Sequence, residues 1–151
     1  MMKLAEALQE RADLNRRIEQ LRMRLDNNAI TQEGEKSAED PIALIAELED
    51  CTVRLEKLIG AINLTNSRTV VDGITLTEMI AKRDILTLKL GVYRNFLNTA
   101  SRTAHRAMRT EIKIFSTVDV SEFQKEIDRI ARELRITDNK IQETNWTTEL
   151  Q

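Results

Sequence analysis

The chain has 151 residues, the length of one domain, with 41% hydrophobic and 32% charged residues. Its 23 basic and 25 acidic side chains leave a net charge of −2, which exerts no overall pull on nucleic acid or on an anionic membrane. The single cysteine, Cys51, excludes an internal disulfide, and no run approaches the ~20 apolar residues of a membrane-spanning helix.

The start, MMKLAEALQE, has no long apolar stretch and meets an acid early, so no signal peptide is expected and a cytoplasmic location is. Aromatics make up only 3%, and there are 4 glycines and 1 proline, too few for the many turns of an all-β fold. A core of Leu and Ile suits helix packing. The expected fold is mainly α: one helical domain over residues 1–151, an antiparallel long-helix bundle with coiled-coil character, plus a small two-stranded β element.

The first helix is predicted over about residues 2–27. Leu4, Arg11, Ile18 and Leu25 fall at one seam position, and Ala7, Leu14 and Leu21 at the other. The remaining positions are mostly polar, so the stripe is narrow, as in a coiled-coil seam. Residues 28–40 read as a loop, with Asn27 and Asn28 loosening the helix end. Asp40-Pro41 then marks a helix start: Asp40 accepts backbone N–H groups and Pro41 sits where no N–H is needed. The second helix extends to about Asn66, with Ile45, Leu48, Leu55, Leu58, Ile59, Ile62 and Cys51 on its apolar side.

Thr69-Val70-Val71 is a short β-type run, and Asp72-Gly73 turns the chain. Thr75 with Glu78 forms a capping-box pattern that opens a third helix, predicted over about 76–106. That helix would be about 45 Å long at ~1.5 Å per residue. One stripe holds Leu76, Met79, Ile80, Leu86, Leu90, Tyr93 and Leu97. A second holds Ile85, Leu88, Val92 and Phe96, so the helix needs cover from more than one side, as a central helix or in a subunit interface. TEIKIFSTV alternates with period two and predicts a strand over about 111–116, paired with 68–71 or with a second subunit. Asp119 caps a fourth helix carrying Phe123, Ile127, Ile130, Leu134, Thr137 and Ile141. Trp146 lies past its clear period.

Little in the chain is chemically reactive. In QEGEKSAEDP, the carboxylates Glu33, Glu35 and Glu39 could ligate a hard cation, but the ladder of a calcium loop is missing and Asp40 serves as a cap. The alternative is a solvated loop. Its length exceeds the usual ~2–8-residue helix connection, which suggests that it docks on something, and Trp146 of the NWTTEL tail is one candidate. The pairs Glu10/Asp13 and Glu47/Asp50 have the spacing of a magnesium-holding helical site, yet the heptad register turns them to the flank and outward. Arg102, Arg106 and Arg109, with His105 beside them, could bind an anion, or could simply complement a helix C-terminus. With one histidine and no nucleophile elbow, no catalytic residue and no cofactor is indicated. Cys51 reads as inert packing.

Arg17, Arg22 and Arg24 flank helix one, and Glu126, Glu133 and Asp138 flank helix four, so these helices are expected side by side, within one chain or across two. The stretches MKLAEALQERADLNRRIEQLRMRL, QEGEKSAEDP, DGITLTEMIAKRDIL and IQETNWTTEL resemble, over nearly the whole chain, a family of short uncharacterised bacterial proteins, some labelled septicolysin. The resemblance implies a helical protein without known catalytic residues. The label would imply a pore-forming toxin, and no export signal, long alternating strand or tryptophan-rich tip accompanies it. The functional expectation is a non-enzymatic cytoplasmic assembly protein: a homo-oligomer, dimer or higher, with an unknown protein partner and no nucleic-acid or membrane partner. The alternative is a small metal-dependent hydrolase or anion- or nucleotide-binding protein with a site between subunits.

Overall fold

A computed structural model describes residues 1–102 and 112–151. The described chain is mainly α, with α1 Leu4–Asn27, α2 Pro41–Arg68, α3 Leu76–Ala100 and α4 Val120–Thr147. Two short strands, β1 Val70–Val71 and β2 Ile74–Thr75, pair between α2 and α3. Two compact units arise: Met1–Val71 with Thr144–Gln151, and Asp72–Glu143.

In the first unit α1 packs antiparallel on α2. The direction is visible in the ion pairs: Glu10 of α1 meets Arg54, and Arg17, further along, meets Glu47, earlier on α2. The seam holds the expected Leu4, Ala7 and Leu21, all fully buried, with Leu14, Ile18 and Leu25 partly buried. On α2 the buried residues are Leu44, Cys51, Leu58, Ile62 and Thr65. With the half-buried Leu48 and Leu55 they form an unbroken alternation of four- and three-residue steps. The sequence reading put Ile45 and Ile59 on this side, but both are exposed. Leu44 and Leu58, one residue earlier, keep in step with Cys51.

The α2 start follows its capping chemistry: Asp40 accepts the Ile42 N–H at 3.0 Å, and Pro41 follows at the first helical position. At the other end of the unit the tail pairs with the chain start. Leu4 N–H donates to the Thr148 carbonyl at 2.8 Å, and Leu150 N–H to the Met2 carbonyl at 2.9 Å. These bonds satisfy an α1 N-terminal donor that has no partner within the helix. The tail therefore docks on the start of α1 and not on the acidic loop. The C-terminal residues of α4 are helical through Trp146, and the turn holding them buries Thr144 and Asn145.

The β element differs from expectation in its partner. Val70–Val71 pairs with Ile74–Thr75, four residues on, because Asp72 (φ 51°) and Gly73 (φ 85°) both adopt positive φ. Two consecutive positive-φ residues make the tight turn whose twist matches a hairpin. Residues 112–116 form no strand.

In the second unit α3 packs antiparallel on α4. Lys82 and Arg83 reach Glu133 and Asp138, while Tyr93 and Phe96, further along α3, meet Phe123, earlier on α4. Leu90, Leu97, Ile127 and Ile130 form the centre of this packing. The Thr75/Glu78 capping box is present: the Thr75 hydroxyl accepts the Glu78 N–H and Glu78 accepts the Thr75 N–H. The third helix stops at Ala100, short of the predicted 106. Ser101 caps it, its hydroxyl donating to the Leu97 carbonyl at 2.9 Å, as short polar side chains do when they compete with a helical ladder.

The charges expected to join helix one to helix four are engaged elsewhere. Arg17 pairs with Glu47, Arg22 with Glu19 and Arg24 with Glu39. Glu126 pairs with Arg129, Glu133 with Lys82 and Arg129, and Asp138 with Arg83.

Candidate interaction surface

The second unit presents α3 with two apolar faces. One face packs on α4. The other carries Ile85, Leu88 and Val92, exposed by 61%, 64% and 58%, with Phe96 at the edge. Burying each such side chain is worth ~1.5–3 kcal/mol, so an uncovered row of them along one helix is a strong pull toward a partner. This is the second stripe read from the sequence. The structure adds exposed Ala81 one turn before it, Asp84 and Lys89 on its flanks, and Gly91, where an added Cβ would meet open space. The seven-residue steps from Ala81 to Leu88 and from Ile85 to Val92 carry that signal in the sequence.

The flank chemistry is modest. Arg83 holds Asp84 at 3.1 Å, and the Lys89 ammonium lies over the Tyr93 ring at 5.4 Å from its centroid. Near the end of α3 a cleft of about 290 Å³ is lined by Phe96, Arg102, Ile114 and Phe115 among others. Arg102 is exposed and follows the Ser101 cap of α3. Its expected companions His105, Arg106 and Arg109 lie outside the described residues.

The acidic loop is organised by the end of α1. Asn28, read from sequence as a loosener, is 8% exposed; its side-chain amide donates to the Arg24 carbonyl at 2.8 Å and accepts the Glu39 N–H at 3.0 Å. Arg24 Nε donates to Glu39 Oε2 at 3.0 Å, and that hydrogen bond holds the Glu39 carboxyl below the usual glutamate range. Glu33 and Glu35 are exposed. Among the described residues no three His, Cys, Asp or Glu side chains group as a metal site.

Of the carboxylates weighed as a magnesium site, Glu10 and Glu47 bridge α1 and α2. Arg54 grips both oxygens of Glu10, at 2.6 and 2.8 Å, and lowers its pKa. Arg17 Nε donates to Glu47 at 2.8 Å, and Arg16 pairs with Asp13. Cys51 is a buried free thiol packed with Leu21 and Leu44. Trp146 is 63% exposed on α4. No described helix is long and apolar enough to cross a membrane.

A model for a family of unknown function, DUF6847, matches residues 11–150. The chain belongs to this family. A solved structure with the same fold is the crystal structure of a functionally unknown conserved protein from Corynebacterium diphtheriae. It is 40% identical, with a TM-score of 0.92 over 99% of each chain. No curated protein matches. The DUF6847 match spans both units and the acidic loop between α1 and α2. The resemblance to an uncharacterised bacterial family therefore stands at the level of that family, and nothing here carries the septicolysin label.

Proposed function

We propose that this DUF6847 member is a non-enzymatic assembly protein that associates with itself, in the cytoplasm, and in that state meets a protein partner. The uncovered apolar face of α3, centred on Ile85, Leu88 and Val92, carries this reading. Three large side chains in one row, left in water on a helix already packed on its other side, are the residue types a subunit interface buries. The hydrolase alternative, built from the loop carboxylates Glu33, Glu35 and Glu39 and the Arg102, Arg106 and Arg109 face, has less behind it: Glu39 is held by Arg24 and would have to leave it to take a cation.

Light scattering on the eluting protein tests the proposal. The expected mass is at least twice the 17.4 kDa of one chain, and Leu88→Glu is expected to bring it down to one. A monomer at tens of micromolar would remove the support. So would an unchanged oligomer in Leu88→Glu that still melts like the parent.

A further inference from the structure

We infer that the α3 face takes a second copy of α3 in parallel orientation, as a short two-stranded coiled coil with Asp84 of each chain against Lys89 of the other. The inference rests on the self-association proposed above and specifies its geometry.

Three independent features of the face point this way. The first is residue type. Counting heptads along α3 puts Ile85, Val92 and Thr99 at one seam position (a) and Ala81, Leu88 and Asn95 at the other (d). In parallel coiled coils β-branched Ile and Val at a with Leu at d favour two strands, so this face suits a parallel dimer over a larger bundle; the flanks choose the orientation. The polar Asn95 and Thr99 close the seam at one end and set its register.

The second is the flanks. In a parallel pair, the position before each a residue (g) faces the position after the next d residue (e) of the other chain, five residues on. Asp84 then faces Lys89, an opposite-charge pair. Gly91 faces Phe96, and Gly91 has nothing within 4 Å of where a Cβ would stand, which leaves room for a ring. Both flanking contacts are thus complementary, in charge for one and in volume for the other. In an antiparallel pair centred on Leu88, Lys89 would instead sit beside Lys89 of the other copy, an unfavourable like-charge contact.

The third is access. Leu86, Leu90, Tyr93 and Leu97 of α3 lie on its opposite side and pack with Ile127 and Ile130 of α4. The seam is exposed from Ala81 to Val92, with Thr99 at its end beside residues 114–117, and α3, with 25 residues, is about 37 Å long at ~1.5 Å per residue. That accommodates the nearly three heptads from Ala81 to Thr99.

The test combines mass with cross-linking. Ala81→Cys is made with the buried Cys51 left in place, and the parent chain is oxidised beside it as the control. In the parallel pair residue 81 meets its own copy across the two-fold axis, close enough for a disulfide. Ala81→Cys is therefore expected to oxidise to a covalent dimer that the parent does not form. In an antiparallel pair centred on Leu88 residue 81 would meet residue 95, so the covalent dimer would form only on mixing Ala81→Cys with Asn95→Cys chains. Exposed charge variants supply a second readout without threatening the fold. Asp84→Lys is expected to weaken dimerisation about tenfold, and Asp84→Lys with Lys89→Asp to restore it. A dimer that links only through the mixed chains, or that links through neither, overturns the parallel pairing and leaves self-association standing. A monomeric parent overturns both. A charge swap that fails to restore the affinity also counts against the Asp84–Lys89 contact.

Discussion

The side-chain oxygen of Asn28 accepts the backbone N–H of Glu39 at 3.0 Å, eleven residues on, while its nitrogen donates to the Arg24 carbonyl. One buried amide thereby caps the end of α1 and fastens the far side of the acidic loop. Glu39, so placed, accepts Arg24 Nε. The loop's length is explained by this return path, since its last residues must come back to α1 before Asp40 starts α2.

Removing that amide should show its weight. Asn28→Ala leaves the Glu39 N–H and the Arg24 carbonyl without their partner in a site that is 8% exposed. A loss of about 1–3 kcal/mol is expected in urea unfolding, because a buried group stripped of its hydrogen bond loses its solvation as well. Trypsin should cut faster after the exposed Lys36. Unchanged unfolding together with unchanged cleavage would mean the loop is held by something else.

The hairpin gives a sharper case, because backbone conformation alone decides it. Gly73 has φ 85° and Asp72 has φ 51°. Gly73→Ala is expected to cost about 1–2 kcal/mol through the left-handed backbone, since the added methyl meets no atom within 4 Å. Asp72→Asn should be near neutral, because asparagine tolerates the same region. Thermal melts of the two variants beside the parent check the contrast, and equal losses would argue against a backbone origin.

The helices were legible because apolar spacing records them. Leu4, Ala7, Leu14, Ile18, Leu21 and Leu25 predict the buried side of α1, and Ile127, Ile130 and Ile141 that of α4. On α2 the spacing places Cys51, Leu58 and Ile62 on the buried side, but it adds Ile45 and Ile59 and leaves Leu44 out, since Leu44-Ile45 and Leu58-Ile59 offer two apolar choices each. The seven-residue steps through Cys51 to the fully buried Thr65 settle it, and a threonine gives a weak apolar signal. Helix pairing was illegible from charge, because each flanking arginine finds a glutamate on a neighbouring turn or the adjoining helix at little expense in energy. The alternation of Ile112 and Ile114 looked like a strand, but alternation supplies no partner, while Asp72-Gly73 supplies one locally. For the candidate site, the α3 stripe was visible as a surplus of apolar residues, and the structure specifies which of the two faces α4 covers.

Acid should loosen the first unit before neutral conditions do. Hydrogen bonds from Arg54 and Arg24 hold Glu10 and Glu39 below the ordinary glutamate value of 4.5. A folded-state pKa below the unfolded one adds stability that is present above 4.5 and is lost as the pH falls through the folded-state value. Stability carried by these groups is therefore expected to be flat from neutral pH to about 5.5 and to decline below 4.5. Glu10→Gln should flatten part of that decline and slightly lower the plateau. Urea unfolding at a series of pH values measures both, and an unaltered acid slope in Glu10→Gln would show that the Arg54 pair contributes nothing to it.

Thr65 makes the most local claim about the tail. It is fully buried on α2; its hydroxyl donates to the Ala61 carbonyl at 2.8 Å and accepts the Gln151 N–H at 3.0 Å. Thr65→Val keeps the volume and deletes the hydroxyl, leaving that N–H without its acceptor, a change worth about 1 kcal/mol. The consequence should travel along the tail. Leu150 donates to Met2, and Leu4 donates to Thr148, so the three bonds form one strip from α2 to the start of α1. Amide exchange at Leu4, Leu150 and Gln151 should therefore accelerate together in Thr65→Val and stay slow in Thr65→Ser, which retains the hydroxyl. Acceleration at Gln151 alone would show that the Leu4 and Leu150 bonds stand without it. In that case the tail is held by its pairing with residues 2–4, and Thr65 serves only the packing of α2.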